Sequence, residues 1–118
     1  KTRGQSAILE IEATTNQACF AILPNDTWDA DFLHHWLMAS YDDLRSLSDG
    51  RGGNQANLNG GLLNALEIPA PDIDDQQRIV ARLKKQLAEA DDLRTALEQQ
   101  LRDLDALPQR ILTIAFEN

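Results

Sequence analysis

The chain has 118 residues, with 11 basic and 19 acidic side chains and a formal net charge of −8. This length allows one small domain, and such acidity argues on charge alone against nucleic-acid binding, because phosphate contacts normally require a basic face. The single cysteine, Cys19, excludes an internal disulfide and favours the reducing cytoplasm, while the lack of an 18-residue apolar run or a basic-then-apolar leader predicts no membrane segment.

The first half of the chain is predicted to be α+β. Residues 7–12 alternate apolar and polar side chains, as a half-buried strand does, and residues 17–23 form a more continuously apolar run that indicates a covered strand. Residues 28–47 carry apolar and aromatic side chains at helical spacing, which predicts one amphipathic helix. An aromatic stripe of this kind is more often core than a ligand site.

A glycine-rich segment, residues 49–61, is predicted to be a loop. It lacks the lysine and the following helix start of a phosphate-binding loop, and its glycine spacing does not fit a dinucleotide-binding turn. The simplest interpretation is a connection rich in turn residues. The alternative is a DNA-contacting loop, because it contains side chains able to bind base edges or phosphates, namely Arg51, Asn54, Gln55 and Asn57.

The second half is predicted to be one long helix that begins after Asp72. Pro69 and Pro71 exclude helix upstream, and Asp72 suits the N-cap. No glycine or proline interrupts residues 72–107, and Pro108 is expected to end or kink the helix before a final apolar segment. A coiled-coil seam is predicted along this helix, because its members follow one another at alternating spacings of four and three residues. They are Leu83, Leu87, Ala90, Arg94, Leu97, Leu101 and Leu104.

The sequence offers no catalytic set, metal site or cofactor motif. The adjacent His34 and His35 point to different helix faces and are interpreted as ordinary helix residues. Ser6 and the other serines are predicted to have no histidine in a plausible relay, and Cys19 lies in an apolar run. We therefore expect a chain that is not an enzyme.

Seven short segments, in chain order, resemble the specificity subunit of type I restriction-modification systems. They are residues 6–8, 13–18, 32–47, 50–58, 66–71, 76–80 and 111–116, and they include Leu-Glu-Ile-Pro-Ala-Pro, Gln-Gln-Arg-Ile-Val and a final Ile-Ala-Phe. In that family a target recognition domain reads one half of a split DNA sequence. A spacer helix then joins the recognition domains and docks the methyltransferase subunit.

The resemblance implies a small mixed α/β globular part, a partial target recognition domain at residues 1–71, followed by a coiled-coil-forming spacer helix and apolar segment at residues 72–118. It implies DNA and the methyltransferase as partners, and leaves open a restriction subunit. The side chains expected to contact DNA are Lys1, Arg3, Gln5, Arg51, Asn54, Gln55 and Asn57. Those expected to contact protein partners are Arg78, Arg82, Lys85, Leu83, Leu87, Leu97, Leu101 and Leu104.

Family members usually hold two recognition domains and two spacer helices, so the chain is expected to be a half-subunit or a fragment. Its leucine seam has no intrachain partner of similar length, which predicts self-association through the long helix. The competing hypothesis is an acidic coiled-coil adaptor or DNA mimic that binds protein and never contacts DNA. The net charge favours this alternative, and the ordered series of segments favours the specificity subunit.

Overall fold

The structure, a computed structural model, describes residues 4–49 and 60–117, without the side chains of residues 47–49 and 62. It contains four helices in these ranges: α1 (Ala30–Ala39), α2 (Tyr41–Asp49), α3 (Gly60–Asn64) and α4 (Ile73–Phe116). The chain divides into two compact units, Lys1–Val80 and Ala81–Asn118.

The predicted α+β class is wrong, because the described residues contain helices and no strand. Both segments expected to be strands, residues 7–12 and 17–23, are irregular and exposed. Alternation of apolar and polar residues shows only that a segment could lie half-buried in a sheet. A strand forms when a second backbone supplies the ladder of hydrogen bonds, and neither segment finds such a partner among the described residues. The mixed α/β globular part is therefore helical in its regular elements.

The single helix predicted for residues 28–47 is divided into α1 and α2. Asp29 caps α1, since its side chain accepts a hydrogen bond from the Phe32 N–H at 3.1 Å. At the C-terminal end, Ser40 leaves the helical geometry with φ −91° and ψ 8°, although its N–H still donates to the Trp36 carbonyl at 3.0 Å. Helical spacing of apolar residues continues across this break, so periodicity did not reveal it.

The first unit has a small core drawn from three helices. Phe32 and Leu33 of α1, Leu44 of α2 and Val80 of α4 are its buried apolar residues among those described. Of the predicted glycine-rich loop, residues 50–59 lie outside the described residues, whereas Gly60 and Gly61 form the first turn of α3. A Cβ atom on Gly60 would lie 3.3 Å from the Phe20 ring, so a larger residue there requires a small shift of that exposed ring.

Gln76, the fourth residue of α4, is polar and fully buried. Its Oε1 accepts from the Asp29 N–H at 2.7 Å, and its Nε2 donates to the carbonyls of Thr27 at 2.8 Å and Pro71 at 2.7 Å. One amide thus joins the start of α1 to the start of α4 and satisfies three backbone groups. Trp28 adds a second link, as its Nε1–H donates to the Pro69 carbonyl at 3.1 Å.

The long helix predicted for the second half is confirmed, with a different end. It begins at Ile73, directly after Asp72, and the Gln76 N–H donates to the Asp72 carbonyl at 3.0 Å. It does not end at Pro108 but continues to Phe116. Proline removes only one N–H from a helix interior, at a local cost that the flanking turns can offset. Within the described ranges, no helix has the length and apolar character needed to cross a membrane.

Candidate nucleic-acid interface

Most residues predicted to contact DNA lie outside the described part of the chain. These are Lys1, Arg3, Arg51, Asn54, Gln55 and Asn57. Gln5 is described, and it is exposed at the edge of a cavity in the first unit. Gln5 is therefore the predicted DNA contact whose surroundings the structure describes, and it shares this cavity with other polar and aromatic side chains.

We call this cavity the histidine pocket; it has a volume of about 390 Å³. It lies between the irregular N-terminal segment and the junction of α1 and α2, and its lining residues are Gly4, Gln5, Ser6, His34, Met38 and Tyr41. Ser6 Oγ lies 2.9 Å from His34 Nδ1, and both residues are half-buried. The sequence did not indicate this contact, because chain topology brings together two residues 28 positions apart.

The Ser6–His34 pair does not form a catalytic relay. The second ring nitrogen of His34 has no hydrogen-bond partner within residues 4–49 and 60–117, so no acid orients the ring. His35, its neighbour, faces elsewhere, with Nδ1 2.6 Å from the Asp31 carbonyl oxygen of its own helix. In the same ranges no three His, Cys, Asp or Glu side chains are grouped so that they could hold a metal ion.

A cation lies next to the histidine pocket. Arg45 Nη1 donates to the Tyr41 hydroxyl at 3.3 Å, and its guanidinium carbon is 5.7 Å from the centre of the Tyr41 ring. Because Tyr41 also lines the pocket, a basic group and an aromatic face lie at one rim of a cavity whose described lining has no Asp, Glu, Lys or Arg side chain. Sequence reasoning missed Arg45, whose spacing from Tyr41 by one helical turn was the available signal.

The predicted partner-binding residues lie along α4. Arg78 pairs with Asp75 at 3.0 Å on the exposed surface, and Arg82 and Lys85 are also exposed. Arg94, the polar member of the seam, pairs with Asp91. Leu83 is half-buried. The other predicted leucines, Leu87, Leu97, Leu101 and Leu104, are each more than half exposed.

Comparison with known proteins identifies the class. Residues 1–103 match the family described as type I restriction modification DNA specificity domain, and the chain belongs to that family. It is also 31% identical over 80 residues to the type I restriction enzyme EcoR124I/EcoR124II specificity subunit of Escherichia coli. The alignment covers 68% of this chain and 20% of that protein, so the chain spans about a fifth of its relative's length. No solved structure is significantly similar to the chain.

These matches confirm the family that the ordered segments indicated. A DNA specificity domain is a recognition component, so the prediction that the chain is not an enzyme is confirmed on the ground of family membership. The net charge of −8 favoured an adaptor or DNA mimic, whereas membership of this family favours a recognition component. Net charge is a property of the whole chain, whereas DNA recognition depends on the charge of one surface.

Proposed function

We propose that this chain supplies sequence specificity to a cytoplasmic type I restriction-modification complex, by binding one half of a bipartite DNA target and docking the methyltransferase subunit through α4. The observation that carries the proposal is the family match, which extends over residues 1–103 and so includes the first unit and most of α4. In this proposal residues 1–71 act as the recognition module and residues 72–118 as the spacer.

We propose that a small number of basic and amide side chains contact DNA. Arg45, beside the histidine pocket, adds a described cation to the predicted Lys1, Arg3 and Arg51. Few basic groups imply few phosphate contacts, and the number of neutralised phosphates sets the slope of affinity against salt. We therefore expect a shallow salt dependence and a specificity that rests on hydrogen bonds to bases.

Arg51→Ala tests the proposed DNA contact of the glycine-rich segment. If Arg51 binds a base, the substitution in the assembled complex should weaken target binding by about 1–3 kcal/mol and relax specificity at one position. The measurement is enrichment of bound sequences from a random duplex library, compared with Arg110→Ala near the end of α4. An equal loss for all sequences would assign Arg51 to phosphate, and no loss would leave the segment as a connection.

The spacer role requires a surface that covers the leucine seam. Every residue of α4 from position 84 to 116 is exposed, including Leu97 at 52% and Leu101 at 61%. A helix of this kind gains most of its stability by burying an apolar stripe rather than from propensity. We propose that the seam pairs with a second copy in antiparallel orientation, which would place two recognition modules at opposite ends.

The methyltransferase is proposed to dock on the exposed basic residues near the start of α4. Reversing the charge of Arg78 and Arg82 together, as Arg78→Glu with Arg82→Glu, should reduce co-purification of the methyltransferase with the chain. Single rim charges contribute modestly, so the double change is the appropriate test. The matched control is Lys84→Glu with Arg110→Glu, which changes the net charge equally. If both pairs assemble an active complex at physiological salt, the docking surface lies elsewhere.

A further inference from the structure

We infer that the histidine pocket binds a nucleobase, and that the Ser6–His34 pair is the hydrogen-bonding group that contacts its polar edge. The inference rests on the proposed DNA-binding function and extends it to Ser6 and His34, which the sequence did not assign to DNA contact. Three features carry it: the size of the cavity, the chemistry of its lining and the unused nitrogen of His34.

The size of the cavity suits a small ligand. Its volume of about 390 Å³ lies within the usual range of about 300–1,000 Å³ for ligand pockets. Within the described residues the lining contains no Asp, Glu, Lys or Arg side chain, which disfavours a phosphate group or a metal ion as the main occupant. An uncharged, compact ligand with polar edges fits this lining better.

The lining combines a flat apolar surface with hydrogen-bonding groups. Tyr41 and Met38 provide an aromatic ring and a polarisable thioether, which suit the face of a planar heterocycle. Gln5, Ser6 and His34 provide an amide, a hydroxyl and an imidazole, which suit its edge. A nucleobase has a planar face and a polar edge, and stacking on aromatic side chains is a general mode of base binding.

The His34 ring is oriented for this role without being fully used. In either tautomer, the contact of 2.9 Å with Ser6 engages Nδ1, and Nε2 remains without a partner among the described residues. Ser6 thereby fixes the ring, and the pair offers a ligand both Nε2 and the hydroxyl. Two adjacent groups of this kind can read a donor–acceptor pattern on a base edge.

The neighbouring histidine provides a matched control. His35 has the same side chain as His34 but different surroundings. Its Nδ1 contacts the Asp31 carbonyl oxygen, and it does not line the pocket. In the chain labelled with ¹⁵N-histidine, we expect the imidazole nitrogen signals of His34, and not those of His35, to shift when a nucleobase is bound. The probes are random-sequence duplex DNA and, separately, the four deoxynucleosides.

The two probes distinguish the source of the base. Shifts with deoxynucleosides as well as duplex would indicate an unstacked base in the pocket, and shifts with duplex alone would indicate a base read in its stack. Duplex binding without any shift at His34 would overturn the pocket and leave the proposed function intact. Nucleoside binding at His34 without any duplex binding would support the pocket and contradict the proposed DNA-binding function. If neither probe shifts His34, the nucleobase pocket is refuted.

Substitution gives a second readout. His34→Ala and Ser6→Ala should each lower affinity for the preferred sequence by about tenfold and relax the preference at one base position, whereas His35→Ala should do neither. Unfolding midpoints of the three variants would show whether folding is affected. The signals of His34 in the unsubstituted chain decide the question if a variant fails to fold. A loss that is equal for all sequences would contradict base reading.

Discussion

Gln76→Ala should destabilise the first unit by about 2–4 kcal/mol, because three part-buried backbone groups lose their hydrogen-bond partner at once. The Asp29 N–H and the carbonyls of Thr27 and Pro71 all depend on this one amide, which has no exposed surface. Total stability of a small domain is about 5–15 kcal/mol, so the loss is a large share of it. Urea unfolding followed by tryptophan fluorescence measures the effect, since both tryptophans, Trp28 and Trp36, lie in this unit.

Two variants control this result. Gln77→Ala changes the exposed neighbour and should alter stability by less than about 0.5 kcal/mol. Gln76→Glu preserves the size and the acceptor for Asp29 N–H, but it sets a carboxylate oxygen against two carbonyl oxygens, so it should be at least as damaging as alanine. If Gln76→Glu or Gln76→Ala unfolds like the unsubstituted chain, the three hydrogen bonds do not hold the two helix starts together.

Leu97→Asp with Leu101→Asp should convert a dimer into a monomer. A buried leucine contributes about 1.5–3 kcal/mol, and the double change removes four such side chains from a pair of chains and places charges in the seam. Light scattering at micromolar concentration should give twice the 13.2 kDa of one chain before the change and that single mass after it.

The matched control introduces the same two charges away from the seam. Thr95→Asp with Ala106→Asp changes exposed residues on the opposite face of α4 and should leave the dimer intact. A monomer before any substitution would contradict self-association through the seam. Dissociation by both double variants would indicate that loss of helix, rather than loss of the seam, separates the chains.

The helices were the more predictable part of the fold. The start of α4 follows from local chemistry, because Pro69 and Pro71 exclude helix and Asp72 begins it. The predicted strands were wrong because the alternation of apolar and polar side chains over residues 7–12 is a property of that segment alone. A sheet also depends on a second strand, which the sequence pattern does not specify. The helix does not end at Pro108, and the alternative of a kink there stays a prediction, since the penalty of a proline is local and the rest of the helix decides whether it is tolerated.

The candidate site was less predictable than the helices. Gln76 appeared in the sequence only as part of a family segment, and nothing in its neighbours indicated that it would be buried with three backbone partners. Ser6 and His34 are 28 positions apart, and no local rule joins them. Contacts of this kind depend on how the helices pack. The order of the motifs was therefore enough to indicate the family, whereas the pocket could be identified only in the three-dimensional structure.

If residues 1–71 select one half of a bipartite DNA target, as proposed, exchanging them should exchange that half of the recognised sequence. These residues would be replaced by the aligned segment of another member of the family with a known target, in the complex with the methyltransferase. Sequencing of the modified bases would then give the recognised sequence before and after exchange. We expect one half of the recognised sequence to change to that of the donor while the other half and the amount of methylation persist. An unchanged sequence, in a complex that still methylates, would contradict it.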